Sequence, residues 1–161
     1  MRRHLIFVGL LIGCSASTRE RDGATPADSA FVAVQARGAE TMGVDQYTSS
    51  HIFEDLADGG RIVLQRDSAD SAGTRVIRAH LADIARRFAA GDFTIPGRVH
   101  AQVVPGTDLM AARRAMLRYA VDTLPRGGQV RITTTDSVAL AAVRTFLSFQ
   151  RMDHRTAGHD H

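Results

Sequence analysis

The chain has 161 residues, 44% apolar and 23% charged, which suits one globular domain of ordinary size and hardly two. All 20 basic residues are arginine and lie scattered among 17 acids; loss of Arg2 and Arg3 with a leader leaves 18 arginines, a net charge of +1, which excludes the footprint of a nucleic-acid binder. Cys14 is the one cysteine, so a disulfide framework within the chain is excluded too.

Met1 to His4 form a short basic head, and residues 5–13 form an apolar core. This is the pattern of a secretory leader, far below the ~20 residues of a membrane-spanning helix. Residues 15–29 are rich in Ser, Thr, Ala, Gly and Pro and read as a flexible tether. Asp28 or Ser29 can cap a first helix to about Met42, with Phe31, Val34, Gly38 and Met42 on one face and Gly43 as its stop. Residues 47–53 read as a strand, 56–60 as a turn and 61–66 as a second strand, followed by a polar loop. The next helix carries Ile77, His80, Leu81, Ile84 and Phe88 as one apolar stripe and ends at Gly91. Residues 92–106 are a connection punctuated by Pro96, Gly97, Pro105 and Gly106, with a short strand expected at 99–104. A helical piece follows from Thr107 or Asp108 through Met116.

The last stretch repeats the pattern of the middle one. Leu117, Tyr119 and Val121 alternate as a strand, residues 125–128 turn the chain, and Val130, Ile132 and Thr134 resume the alternation. Asp136 or Ser137 can cap a helix bearing Val143, Phe146, Leu147 and Gln150. Leu56, Gly59, Gly60, Ile62 and Leu64 match Leu124, Gly127, Gly128, Val130 and Ile132 at an offset of 68, and Ile77 and Leu81 match Val143 and Leu147 at 66. Two hairpins with one apolar face each need a shared cover, which two amphipathic helices supply. The expected fold is therefore α+β: a mostly antiparallel sheet from two hairpin–helix units, helices on one face, plus an N-terminal helix. The domain should span 29–154, with Phe31, Tyr119 and the apolar residues of the strands and helices named above as its core. Residues 155–161 should be a disordered tail.

Leu11-Ile12-Gly13-Cys14 resembles the lipobox of bacterial lipoproteins. The resemblance implies a signal peptide at 1–13, cleavage before Cys14, diacylglycerol on its thiol, and a tether at 14–28. It implies a partner too: the membrane of the cell envelope, with the domain facing the periplasm in a Gram-negative source. The globular part carries Met42-Gly43-x-Asp45-Gln46, His51-x-Phe53, Asp58-Gly59-Gly60, a run from Ile77 through His80-Leu81 to Gly91-Asp92-Phe93, and Phe146-Leu147-x-Phe149-Gln150 before His154. That pattern resembles a family of bacterial secreted proteins with no established activity, and it implies none here. The chain departs from the family pattern at Ile52, where a second histidine often follows the first.

There is no Walker loop, GxGxxG, HExxH, CxxC or GxSxG. The histidines of the domain, His51, His80, His100 and His154, are the one constellation of interest, with Asp92, Gln46 and Gln102 as polar residues that could join them. His80 sits on an apolar stripe, which suits a hydrogen-bonded core histidine. His154 ends the last helix, where an imidazolium favours the helix dipole. A site on His80 and His100, joined by His51, suits zinc or copper, because neutral imidazoles bind both. Met110, Met116 and Met152 could soften a copper site, though core packing explains them more simply; His159 and His161 could add a flexible chelate. The expected function is a membrane-anchored envelope lipoprotein whose domain is a non-catalytic binding or interaction module. The alternative is a small-ligand or transition-metal-binding domain using His80 and His100, and the third is an enzyme, for which no residue pattern speaks. Two or more of these four histidines sharing a pocket with Asp92 or a glutamine favour binding; scattered ones do not.

Overall fold

The structure is a computed structural model and describes residues 25–156. The leader, Cys14, and His159 to His161 lie outside the described residues.

The alternating segments pair into two hairpins, β1 (Ser49–Leu56) with β2 (Gly59–Arg66) and β3 (Arg118–Leu124) with β4 (Gly127–Thr133). They join through their second strands into one antiparallel sheet of order β1-β2-β4-β3. The central register pairs Ile62 with Val130, Gly60 with Ile132, and Leu64 with Gly128. Applying the offset of 68 to these pairs returns the same pairs, so a local twofold axis passes between Ile62 and Val130. The internal echo of the sequence is thus a symmetry of the sheet.

Two long helices cover one face, α2 (Ser71–Ala89) and α5 (Ser137–Asp153). Each starts at an aspartate whose carboxylate accepts a backbone N–H three residues on: Asp70 from Gly73, and Asp136 from Ala139. Each crosses to the other unit's hairpin. Leu147 of α5 sits over Gly60, where a Cβ would come within 2.2 Å of its Cδ1, and Leu81 of α2 sits over Gly128, at 3.1 Å. Helix α5 rests on β1 and β2, and α2 mainly on β3 and β4. Neither unit is covered chiefly by its own helix, which makes the two units one domain.

The N-terminal helix α1 (Pro26–Met42) starts one turn earlier than the spacing suggests. Thr25 is the cap, and Asp28 returns the bond to the Thr25 N–H as a capping box. Helix α1 lies on a short helix α3 (Thr94–His100), to which Arg37 is tied by donating to the Val99 carbonyl at 2.7 Å. The strand expected at 99–104 is therefore a correction. Asp92 accepts the Thr94 N–H at 2.9 Å, and Pro96 falls in the first turn of α3, where its missing N–H costs nothing. A further short helix, α4 (Thr107–Ala112), and one tight turn lead into β3.

The core is built as the stripes require: Ile62, Leu64, Ile77, Leu81, Ile84, Phe88, Val130, Ile132, Val143, Phe146 and Leu147 are all buried. Phe31 and Tyr119 are only half-buried. Phe31 lies under the Arg155 guanidinium, 4.6 Å from the ring centre, and Arg155 also pairs with Asp28 at 2.9 Å. Residues 155 and 156 therefore belong to the folded part rather than to a loose tail. Among the described residues, no helix is long and apolar enough to cross a membrane.

Candidate functional site

The apolar stripe of α5 continues past Leu147 with polar side chains. Gln150 and His154 stand one and two turns on, at the spacing that faces the sheet, and both are buried. Strand β1 presents His51 and Phe53 to the same space. The His51 and His154 rings stack at 5.3 Å with planes 9° apart, and Phe53 lies 5.3 Å from His154. His100, the last residue of α3, meets His154 edge-on at 5.1 Å. These side chains, with His80 of α2, wall a cavity of about 70 Å³. Its other walls are mostly apolar, among them Met42 of α1, Val99 of α3, and Ile62 and Leu64 of the sheet, with Thr41 and Gln46 as polar members.

Burial governs the electrostatics here. It lowers the His154 pKa to about 3, with His51 and His100 adding repulsion, so His154 is neutral. The reading of His154 as an imidazolium at a helix end is thus corrected: its N–H continues the helix to Gln150, and its ring turns inward. His51 is lowered to about 4, again by burial first; the Ser49 backbone and Asp67 oppose the shift, while His80 adds to it. Burial lowers His80 as well, against the pull of Asp83. His100 is held on both sides. Its Nδ1 faces the Asp153 carboxylate, and its Nε2 lies 3.0 Å from the Gln150 side-chain oxygen. The other end of that amide, Gln150 Nε2, is buried with no partner.

A second, more open depression of about 350 Å³ adjoins the cavity. Gln46, His51 and His154 wall both spaces; Gln35, Ser49, Ser50 and Thr156 line the outer one. Gln35 Oε1 and Thr156 Oγ1 are also buried without partners. Unpaired buried polar atoms are uncommon and costly. Of the four such side-chain atoms among the described residues, three line these adjoining spaces.

The structure thus brings His51, His80, His100 and His154 to one cavity together with Gln46, and it leaves Asp92 out. Asp92 accepts the Thr94 hydroxyl at 2.6 Å and pairs with Arg87 at 2.7 Å; Thr94 and Arg87 lower its carboxyl to about 2. Gln102 is exposed near it. Met110 is a core residue, while Met116 and Met152 are exposed away from the cavity. The histidines do not form a metal-ligand set. A metal lies near the plane of each imidazole that binds it, and the stacked rings of His51 and His154 share no such point. Both nitrogens of His100 already face oxygens. Among the described residues, no group of three His, Cys, Asp or Glu is placed to hold zinc, copper or another metal ion.

Asp153, Gln35, Ser49, Ser50 and Thr156 were not legible as site residues. The stronger signal lay in the repeat. At the offset of 66, Gln150 and His154 align with Ile84 and Phe88, so α5 is polar there where α2 is apolar, while Phe146 aligns with His80 in the reverse sense. No family model, curated protein or solved structure matches the chain.

Proposed function

We propose that this is an exported lipoprotein anchored through Cys14, whose domain is a non-catalytic small-ligand-binding module with the histidine-walled cavity as its site. One observation carries the reading. Where α2 turns Ile84 and Phe88 to the cavity, the equivalent positions of α5 turn Gln150 and His154 to it, so the space is bordered by imidazoles that burial keeps neutral at His51 and His154 and by an amide with an unpaired end. A core position filled by Gln150 costs stability unless something answers that amide. A ligand that does so is stabilising by mass action. Binding is favoured over catalysis because His100, whose Nδ1 faces a carboxylate, has its other nitrogen occupied too. Anchoring rests on the lipobox-like stretch, and it would hold the domain at the membrane surface by residues 15 to 24.

The test uses the full chain, with resonances assigned at His51, Gln150 and His154. It is titrated with small molecules of several classes: neutral, anionic, cationic, and zinc. Saturable shifts at these residues are expected, and Ile84→Phe, which fills the cavity, should abolish them. If no class moves them, the binding reading is overturned. Mass spectrometry of the mature chain from its native host should show an acylated Cys14; an unmodified residue 14 ends the anchoring claim.

A further inference from the structure

We propose that the ligand is a neutral molecule with a head of hydroxyl or amide groups in the outer depression and, in the cavity beneath His51 and His154, a short segment that is apolar except for one polar group facing Gln150. This rests on the binding reading above and narrows it.

The linings define the two parts. The cavity is walled chiefly by apolar side chains, with Gln150 as its unanswered polar group. Its volume of about 70 Å³ has room for roughly five water-sized groups, hence a short hydrocarbon segment rather than a long acyl chain. The outer depression is lined by amides, hydroxyls and imidazoles, with Ile52 as its apolar member. No Arg, Asp or Glu lines either space. An ionic head would meet no counter-charge in either space, and an ionic group drawn into the cavity would lose its water as well.

The unpaired atoms name the head. Gln35 Oε1 requires a donor, and the Thr156 hydroxyl can give or take a bond. Gln150 Nε2 requires an acceptor; turning its amide over would give His100 Nε2 a donor and leave an oxygen to be answered instead. A hydroxyl or a primary amide serves every one of these, since each both donates and accepts. A carboxylate cannot donate to Gln35, and an ammonium cannot accept from the Thr156 hydroxyl. His51, His154 and Gln46 form the wall common to both spaces, so the ligand passes between them. Neutral imidazoles set no charge in that path.

The experiment compares four six-carbon probes on the full chain at pH 7.5, each with a hydroxyl at its inner end for Gln150: 1,2,6-hexanetriol, 6-hydroxyhexanamide, 6-hydroxyhexanoate and 6-hydroxyhexylammonium. The triol and the amide should bind saturably and shift the resonances of Gln150 and of Gln35 and Thr156 together. The two ions should bind at least about tenfold more weakly. Gln35→Leu, at a half-buried surface position, should weaken the neutral probes several-fold while the melting temperature holds. Equal binding of the ions overturns the neutral-ligand inference and leaves the binding reading standing. Neutral binding with no response at Gln35 or Thr156, and none to Gln35→Leu, overturns the two-part arrangement. Binding of none of these probes, where another class of molecule shifts His51 and His154, overturns this inference alone.

Discussion

The two sides of the sheet's twofold axis use one backbone plan for different ends. On one side Phe88 of α2 packs edge-on to Tyr119 of β3 at 6.0 Å and against Phe93 and Phe146 at 4.4 and 5.8 Å. On the other, the equivalent position of α5 is His154, and the equivalent of Tyr119 is His51, stacked at 5.3 Å. Ile84 of the first side is Gln150 of the second. The strands, glycines and caps agree between the sides, so the backbone does not require imidazoles. An apolar solution to the same packing exists in the same chain. The polar side chains are therefore not dictated by the backbone plan, and they mark the site.

Truncation separates the two sides most sharply. Phe88→Ala should lower stability by about 3–5 kcal/mol, because a fully buried ring leaves a cavity among three aromatic neighbours. His154→Ala should cost much less: both rings border the cavity, but the His154 ring is polar and burial penalises its charged form. Denaturant melts of the two variants check this. Equal losses would mean that both sides are simply core.

Acid should act mainly on the polar side, through His51 and His154, with His80 of α2, lowered by burial as well, adding to it. Histidine in the unfolded chain takes up its proton near pH 6.5, whereas His51 and His154 resist it until about pH 4 and about pH 3. The unfolded state then holds more protons, so the contribution is complete above pH 6.5 and is lost as pH falls toward 4 and below. At pH 5 the loss is on the order of 1–2 kcal/mol per histidine. Carboxylates held low by partners, such as Asp92 at about 2, act only below their ordinary value of 3.8 and leave this window to the histidines. His154→Phe, which copies Phe88, should flatten the drop in melting temperature between pH 6.5 and 5. An unchanged slope in that variant would show that His154 does not titrate as a buried group.

How much of this the sequence discloses follows from the same comparison. Hairpins, glycines and amphipathic helices are local patterns, and β1–β4, α2 and α5 follow from them. The interval 92–106 misled, because Pro96 and Gly97 read as punctuation whereas Pro96 sits harmlessly in the first turn of α3. The α1 start misled because Asp28 suits a cap and serves instead as the third residue of a capping box. The four histidines were legible as a group. Their ring-on-ring arrangement was not, since it depends on α5 crossing to β1 and on α3 ending beside it. His154 in particular looked like a helix terminus, and only its i+4 relation to Gln150 places it inside.

The smallest effect tests the symmetry itself. Asp70 and Asp136 occupy equivalent caps, each accepting a backbone N–H, from Gly73 at 3.0 Å and from Ala139 at 2.7 Å. Each also pairs with an arginine, Arg66 at 3.1 Å and Arg113 at 2.9 Å. These pairs are partly exposed and add little beside the cap bond. Asp70→Ala and Asp136→Ala should therefore each lower stability slightly, and by nearly the same amount. Neither residue borders the cavity, so neither substitution should alter ligand-induced shifts at His51 or Gln150. Equal, additive losses in a chemical melt of the single and double variants would show two independent copies of one capping device. A large excess in the double variant would mean that the helix starts are coupled through the sheet. The exchange of helices between hairpins makes that route available, since α2 secures the unit that α5 follows and α5 secures the unit that α2 follows.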